Sequence, residues 1–330
     1  MIITRTPLRI SFAGGGTDLP AFYRRETGAV VSTAINKYIY ITVNRKFDHK
    51  IRVSYSETEI VDSVDDLKHD LIRESLRLVG IDGGIEITSI SDIPSQGTGL
   101  GSSSSYTVGL LNALYAYKGQ LIGAERLARE ACHIEIEVCR KPIGKQDQYI
   151  AAYGGLKFIE FLPDESVVVT PLLRERHARE ELQNHLLLLY TGLTRSADNI
   201  LAEQSRNTTD SAQTRAHLQT LRALADRVHE ALCCGDLQEF GRCLHENWRA
   251  KRQLATGISN GQIDCWYETA MAHGAWGGKL LGAGGGGFLL FVAPPERHPL
   301  IIAALPQLRP VHIHLESQGS RIIYVEDEET

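Results

Sequence analysis

The chain has 330 residues, more than a single compact core usually needs, and so suits two domains or one elaborated one. With 35 basic and 40 acidic side chains its formal net charge is −5, which argues against a broad nucleic-acid-binding face but leaves room for a local basic pocket. Apolar content of 43% and charged content of 23% are ordinary for a globular protein, so disorder is not expected.

The first ten residues carry Arg5, Pro7 and Arg9 where a signal peptide would need an apolar run. Leu8, Ile10 and Phe12 alternate with Arg9, Ser11 and Ala13, a strand pattern that ends in Gly14-Gly15-Gly16. β-branched and aromatic residues predict two further strands over 29–35 and 38–43. Helical spacing covers 67–79, and Ile85 and Ile87 point one way along the next strand. Residues 94–105 are rich in glycine and serine and precede a helix with Val108, Leu111 and Tyr115 at helical spacing. A helix is predicted over 125–139, ended by Lys141-Pro142-Ile143-Gly144, and a strand over 156–161. The charged stretch 163–181, which holds Pro171, marks the expected junction between domains 1–170 and 171–330.

The second half opens on a buried strand at 186–190. Helices follow near 198–206, 213–233, 237–254 and 262–273. A glycine run at 282–287 leads into a strand at 288–292, and a last helix and strands at 311–315 and 322–325 close the chain. The acidic tail 326–329 is expected to fray. The pattern is α+β, and no apolar run reaches the length of a membrane span. The six cysteines form no C-x-x-C pair and read as reduced thiols of a cytoplasmic protein. His245-Glu246 lacks the second histidine of a zinc motif, because residue 249 is Arg249, and His312 and His314 read as a solvated pair on one strand face.

Strand, then glycines and hydroxyls, then helix is a layout that binds phosphate. Gly97, Gly99 and Gly101 let the backbone turn tightly and approach an anion. The helix that follows offers unpaired N–H groups and the positive end of its dipole. Ser102, Ser103, Ser104 and Ser105 add hydroxyls, one of which could ligate a metal. No lysine follows the last glycine, so this is not a Walker loop, and Ser104 stands where a dinucleotide fingerprint needs glycine. The competing reading is a flexible glycine–serine loop, but four successive hydroxyls exceed what one helix cap needs.

On the apolar face of the 125–139 helix, Glu135 falls among Ala128, Ala131, Cys132, Val138 and Cys139 at roughly 100° per residue, while Glu137 falls on the solvated side. A carboxylate so placed needs a cation or strong hydrogen bonds, so Glu135 is either half of a structural ion pair or a metal ligand. Asp147, in the loop that follows, is either a turn former or a catalytic carboxylate. Arg9 lies on the polar side of the first strand.

Three segments together resemble the GHMP kinases, the superfamily of galactokinase and the homoserine, mevalonate and phosphomevalonate kinases. Pro94-x5-Gly-Leu-Gly-Ser-Ser103 is similar to that family's second motif, the segment from Pro7 to Asp18 to its first, and the segment from Lys279 to Phe288 to its third, in the family's order and spacing. The resemblance implies a two-domain fold, with an N-terminal part like the ribosomal protein S5 domain 2 and a ferredoxin-like C-terminal α/β sandwich. It also implies ATP and Mg2+. The nucleotide phosphates would meet Pro94, Gly97, Gly99, Leu100, Gly101, Ser102, Ser103 and Ser104, and the metal would meet Ser103 and Glu135. Asp147 would face the acceptor hydroxyl with Arg9 beside it.

By the same resemblance, Asp18 would bind the sugar. Gly15 and Gly16 stand where galactokinases carry a bulkier pair, which makes room for a larger substrate. The forms of the first and third motifs and of 143–149 are similar to the branch that phosphorylates the anomeric hydroxyl of D-glycero-D-manno-heptose 7-phosphate for surface-glycan synthesis. An L-fucokinase-like sugar 1-kinase and a non-catalytic sugar and ATP sensor are the alternatives. A phosphosugar needs a second anion site, for which Lys145 and Arg195 are candidates, with Gly285 of the third motif also near the substrate. Lys279 supports the third glycine loop or meets a phosphate itself, and residues 36–38 and 47–57 could border the adenine. Expected partners are the phosphosugar and, as the family allows, a second copy in a homodimer, with no nucleic acid and no membrane.

Overall fold

The structure, a computed structural model, describes residues 1–94, 97–172, 175–193 and 197–326, with the backbone alone at 197 and 198. In the first half, strands β1 (Ile2–Ala13), β2 (Gly28–Arg45), β3 (Ile51–Ser54), β4 (Thr58–Val61), β5 (Ile85–Ser91), β6 (Leu156–Phe161) and β7 (Val167–Pro171) build one sheet. Its main path runs β1-β2-β5-β3-β4, with β6 and β7 joined to the near end of β2. The two strands expected at 29–35 and 38–43 are one. Pro7 and Leu8 of β1 pair with Tyr38 and Ile35, so Asn36 and Lys37 form a bulge that the strand runs through. Asn36 is tied there to His314, whose N–H donates to its side-chain oxygen at 2.7 Å.

The helices of this half are α1 (Pro20–Tyr23), α2 (Asp70–Val79), α3 (Ser102–Tyr117), α4 (Ala124–Cys132) and α5 (Gln146–Tyr153). Helix α3 packs across β1 and β2, and Thr4 of β1 donates to the carbonyl of Gly109, where a side chain would not fit. The expected helix 125–139 is α4 continued by a wider π-helical turn, His133–Val138.

In the second half α6 (Arg176–His185) leads into β8 (Leu186–Tyr190), and α7 (Ala197–Asp210), α8 (Ala212–Cys234), α9 (Leu237–Lys251) and α10 (Gly261–Ala272) follow. Then come β9 (Gly277–Leu280), β10 (Phe288–Val292), α11 (His298–Ala304), β11 (Arg309–Pro310) and β12 (Arg321–Val325). A four-stranded antiparallel sheet, β11-β8-β10-β9, carries helices on it. Residues 311–314 are not the expected strand, though Leu315 makes a single bridge to Ile35. His312 and His314 are both exposed there.

The chain crosses the division expected at residue 170. β7 lies inside the expected linker and pairs with β6, and β12 returns to pair with β1, Ile2 against Val325. One buried cluster spans both halves, and Phe12 of β1 meets Phe240 of α9 edge-on at 5.1 Å. This shared core fixes α9 and the glycine run against β1, which brings the separate sequence motifs around one cavity. Among the described residues no helix is long and apolar enough to cross a membrane, and no group of three or more His, Cys, Asp or Glu could hold a metal. The tail beyond Glu326 lies outside the described residues.

Candidate active site

A cavity of about 950 Å³ lies between the N-terminal sheet and the 281–284 turn. Gly97, Gly99 and Gly101 all take positive φ (68°, 76° and 75°), so the loop coils back on itself before α3 begins. Gly101 caps α3 in the left-handed conformation, leaving the first N–H groups of the helix to face the cavity. A Cβ on Gly99 would stand 2.5 Å from the carbonyl oxygen of Leu281, and one on Gly282 would stand 2.3 Å from Cα of Gly99. The second and third glycine segments thus touch backbone to backbone, which only glycine at both positions allows.

The four serines of α3 divide their work. Ser105 is buried and donates to the carbonyl of Pro7 at 2.9 Å, so it anchors the helix to β1 instead of facing an anion. Ser104 turns inward and donates to Glu135 at 2.7 Å. Ser102, the exposed Ser103 and Ser104 line the cavity beside Gly97, Gly99 and Gly101. Two expected contact residues do not line it. Pro94 is exposed outside, and Leu100 is a core side chain whose carbonyl accepts from the Arg9 N–H at 3.0 Å. Residues 95 and 96, within the loop, lie outside the described residues.

Arg9 and Asp147 meet as a two-bond pair, Nε to Oδ1 at 2.6 Å and Nη2 to Oδ2 at 2.7 Å, while Nη1 donates to the carbonyl of Gly99 at 2.7 Å. The guanidinium is almost wholly buried, and the carboxylate keeps about a fifth of its surface open to the cavity. Planar charge-assisted pairs of this kind are strong and directional. Both lie against the start of α3: a Cβ on Gly101 would be 3.1 Å from Cγ of Arg9 and 3.2 Å from Oδ2 of Asp147.

Glu135 is fully buried on the π-helical turn. Its carboxylate accepts from Ser103 at 3.1 Å, Ser104 at 2.7 Å, Thr107 at 3.0 Å and the side-chain amide of Gln148. Burial pushes its pKa up, opposed by the Ser104 and Gln148 hydrogen bonds, the charge of Lys141 and the Thr107 bond. No salt bridge joins Glu135 to a cation among the described residues, although the charge of Lys141 is felt there. A carboxylate and the Ser103 hydroxyl side by side are hard oxygen donors. With so few protein ligands, they suit a small divalent cation that takes its remaining ligands from phosphate and water.

Asp18 is buried beside the cavity and accepts from the N–H of Gly16 at 2.8 Å and of Gln146 at 3.3 Å. Burial raises its pKa, the Gly16 bond lowers it, and the charge of Asp147 raises it again. Gly15 and Gly16 line the cavity here, and Gln204 of α7 leans over Gly16 closely enough that a Cβ there would meet its side-chain nitrogen at 2.4 Å. A Cβ on Gly144 would stand 2.0 Å from Oδ2 of Asp18. Gly144→Ala is therefore expected to displace Asp18 and to raise the acceptor KM by at least ~10-fold with little change in the KM for ATP, measured by initial rates.

Two expected anion or substrate contacts do not join the site. Lys145 points away, donating to Glu165 Oε2 at 2.5 Å and lying 4.5 Å from the centre of the Tyr23 ring. It stands two residues before Asp147 at the start of α5, roughly 200° around the helix axis, so the two side chains leave in opposite directions. Gly285 does not line the cavity. Its N–H donates to the carbonyl of Ile258 at 3.0 Å, and its neighbours Gly284 and Gly286 line the wall instead. Arg195 lies outside the described residues.

Other lining residues were not foreseen. At the far end His69 meets the ring of Tyr55 edge-on at 4.7 Å and lies tilted by 31° against the ring of Tyr106 at 5.5 Å. Only Tyr55 and Ser56 come from the segment expected to border the adenine. Asn36 and Tyr38 are instead committed to His314 and to Arg5 and Glu316. Lys251 also lines the cavity. Its signal was available: it continues the apolar stripe of Phe240, Leu244 and Trp248 along α9, the same reasoning that singled out Glu135.

Two family models match the chain: "GHMP kinases N terminal domain" over residues 67–155 and "GHMP kinases C terminal" over 228–308. A D-glycero-alpha-D-manno-heptose 7-phosphate kinase of Campylobacter jejuni is 32% identical over 92% of this chain and 93% of its own length. The L-fucokinase/L-fucose-1-P guanylyltransferase of Bacteroides fragilis is 27% identical over 96% of this chain but 38% of its own. Among solved structures, a D-glycero-D-manno-heptose 1-phosphate kinase from Bacteroides thetaiotaomicron superposes with a TM-score of 0.82 at 26% identity, covering 99% of this chain and 100% of that one. The heptose kinases' names put the existing phosphate at different positions.

Proposed function

The chain belongs to the GHMP kinase family, with that family's two-domain fold, and is an ATP-dependent phosphotransferase; from that premise we propose that it phosphorylates the anomeric hydroxyl of D-glycero-D-manno-heptose 7-phosphate, giving the 1,7-bisphosphate. The observation that carries phosphoryl transfer is the contact of the Arg9–Asp147 pair with the start of α3, which puts a carboxylate beside the expected place of the terminal phosphate, and the 32% identity to a heptose 7-phosphate kinase supports the choice of acceptor.

In that geometry Asp147 orients the acceptor hydroxyl and accepts its proton late in transfer, because a loose phosphoryl transition state makes the oxygen acidic only as the new bond forms. Arg9 holds the carboxylate in place and adds positive charge beside the equatorial oxygens. The N–H groups at the start of α3, with Ser102 and Ser103, hold the nucleotide phosphates. Mg2+ fits Ser103 and Glu135 and would neutralise phosphate charge there. Asp18, Gly15, Gly16 and Gln204 shape the sugar end, and the rings of Tyr55, His69 and Tyr106 offer flat surfaces for the base. With free cysteines and ATP as donor, we place the enzyme in the cytoplasm, supplying an activated heptose for surface glycans.

The fucokinase relative favours one rival, an unphosphorylated 6-deoxysugar as acceptor. Coupled ADP-release rates with heptose 7-phosphate, heptose 1-phosphate, heptose and L-fucose separate the readings. Heptose 7-phosphate is expected to lead in kcat/KM by at least ~10²-fold. Preference for heptose 1-phosphate would move the reaction to the other end of the sugar, and preference for fucose would replace the substrate.

A further inference from the structure

We infer that Lys251 and Lys279 form a buried anion site for a phosphate group, on the wall of the same cavity between β1 and the 281–284 turn. The inference rests on the kinase reading only for which phosphate the site receives.

Lys251 ends α9 and Lys279 lies in β9, and both line the cavity although they are 8% and 2% exposed. Neither has a carboxylate partner among the described residues. Lys251 donates to the carbonyls of Leu280, at 3.3 Å, and Gly282, and Lys279 donates to the carbonyl of Phe12 at 2.9 Å. An ammonium carries three donors, so one remains on Lys251 and two on Lys279. Arg9 cannot answer them, being a third cation already committed to Asp147. Burial and then the charge of Arg9 push Lys251 down to about 7, and burial, Lys251 and Arg9 push Lys279 well down.

Lysine amines held this deep without counter-charge cost the empty protein stability, whether they stay charged or give up the proton. An arriving phosphate would meet the remaining donors, restore their charge and lose little water of its own. Lys141, another cation at the cavity, has Asp70 at 3.8 Å, and Lys145 is bound to Glu165, so neither competes for this role. Two phosphates could be the occupant: the one the acceptor already carries, or the group in flight from ATP. Both present the same oxygens, and kinetics tells them apart.

The test uses the full chain and Lys251→Met, Lys279→Met and Lys251→Arg. Thermal unfolding is first followed against inorganic phosphate. The Met variants are expected to match or exceed the wild-type Tm without phosphate, since a buried amine with no counter-charge has gone, and to bind phosphate at least ~10-fold more weakly. Lys251→Arg should recover part of the binding. Initial rates with heptose 7-phosphate and unphosphorylated heptose then assign the occupant. A KM rise confined to the phosphorylated acceptor gives the site to the acceptor's phosphate, and an equal fall in kcat with both gives it to the transferring group. Variants that lose Tm without phosphate yet keep wild-type phosphate affinity and kinetics would overturn the site, leaving the lysines as pins for the glycine turn. If the wild type turns over no sugar but Lys251→Met still loses phosphate, the anion site stands and the kinase reading falls.

Discussion

Asp147→Asn is expected to lower kcat by at least ~10²-fold while leaving the affinity for MgATP within about threefold of wild type. The asparagine is nearly the same shape, so the loop around 144–147 and the start of α3 should stay in place. What goes is the acceptor for the hydroxyl proton and the charge that balances Arg9. Arg9 keeps its bond to the Gly99 carbonyl, but its guanidinium is almost wholly buried and loses its counter-ion, so a stability loss is also expected. That loss must be separated from catalysis. Arg9→Met removes the other half of the pair, and the double variant restores neutrality. If the two act as one unit in transfer, the double variant's kcat should be close to that of the worse single variant, while its Tm should recover relative to Asp147→Asn. Turnover of Asp147→Asn near the wild-type rate would return Asp147 to a turn former, and isothermal titration with MgATP separates that outcome from a misfolded loop.

Much of this pair could be read from the sequence because strand alternation is a strong local signal. Leu8, Ile10 and Phe12 are all fully buried, and Arg9 points to the other face, into the cavity. The buried strands 186–190 and 288–292 were legible for the same reason and appear with those bounds. Bulges are less visible: Asn36 and Lys37 look like a break, yet β2 absorbs them by looping two residues out opposite Pro7 and Leu8. Long-range pairing left no mark at all. Nothing in residues 321–325 says that they pair with β1 and not with their own half of the chain. Direction around a helix start was also lost, because Lys145 and Asp147 are near neighbours in sequence but leave α5 on opposite sides. The serine cluster read as one phosphate-binding surface, whereas helical geometry sends Ser105 to β1 and ties the Ser104 hydroxyl to Glu135, although Ser102, Ser103 and Ser104 all line the cavity. Lys251 was missed because a lysine is taken for a solvated residue unless its helical face is checked.

Glu135→Gln is the second large effect expected, because the substitution keeps the size of the side chain and reverses one of its hydrogen-bonding roles. The carboxylate accepts from three hydroxyls and from the Gln148 amide, and an amide in its place would turn N–H donors toward groups that also donate. Hydroxyls can rotate, and the Gln148 amide, whose Oε1 has no partner, can turn over to accept, so no more than about 1–3 kcal/mol of stability is at risk. If Glu135 also holds the metal, kcat should fall at least ~10²-fold and the Mg2+ concentration for half-maximal rate should rise at least ~10-fold. Glu135→Asp, which keeps the charge on a shorter stem, should recover part of the metal dependence. The pH response supplies an independent check. Because the folded-state pKa is raised above the ordinary 4.5, the stability linked to this group is fully present below that value and is lost as pH rises through the folded pKa. Glutamine does not titrate, so the Tm of the variant should gain on the metal-free wild type as pH rises from 4 towards 7, and saturating Mg2+ should cancel that gain by stabilising only the wild type. A variant that loses Tm but keeps both kcat and its Mg2+ requirement would make Glu135 a buried hydrogen-bond acceptor that shapes the start of α3, and the metal would then need another protein ligand beside Ser103.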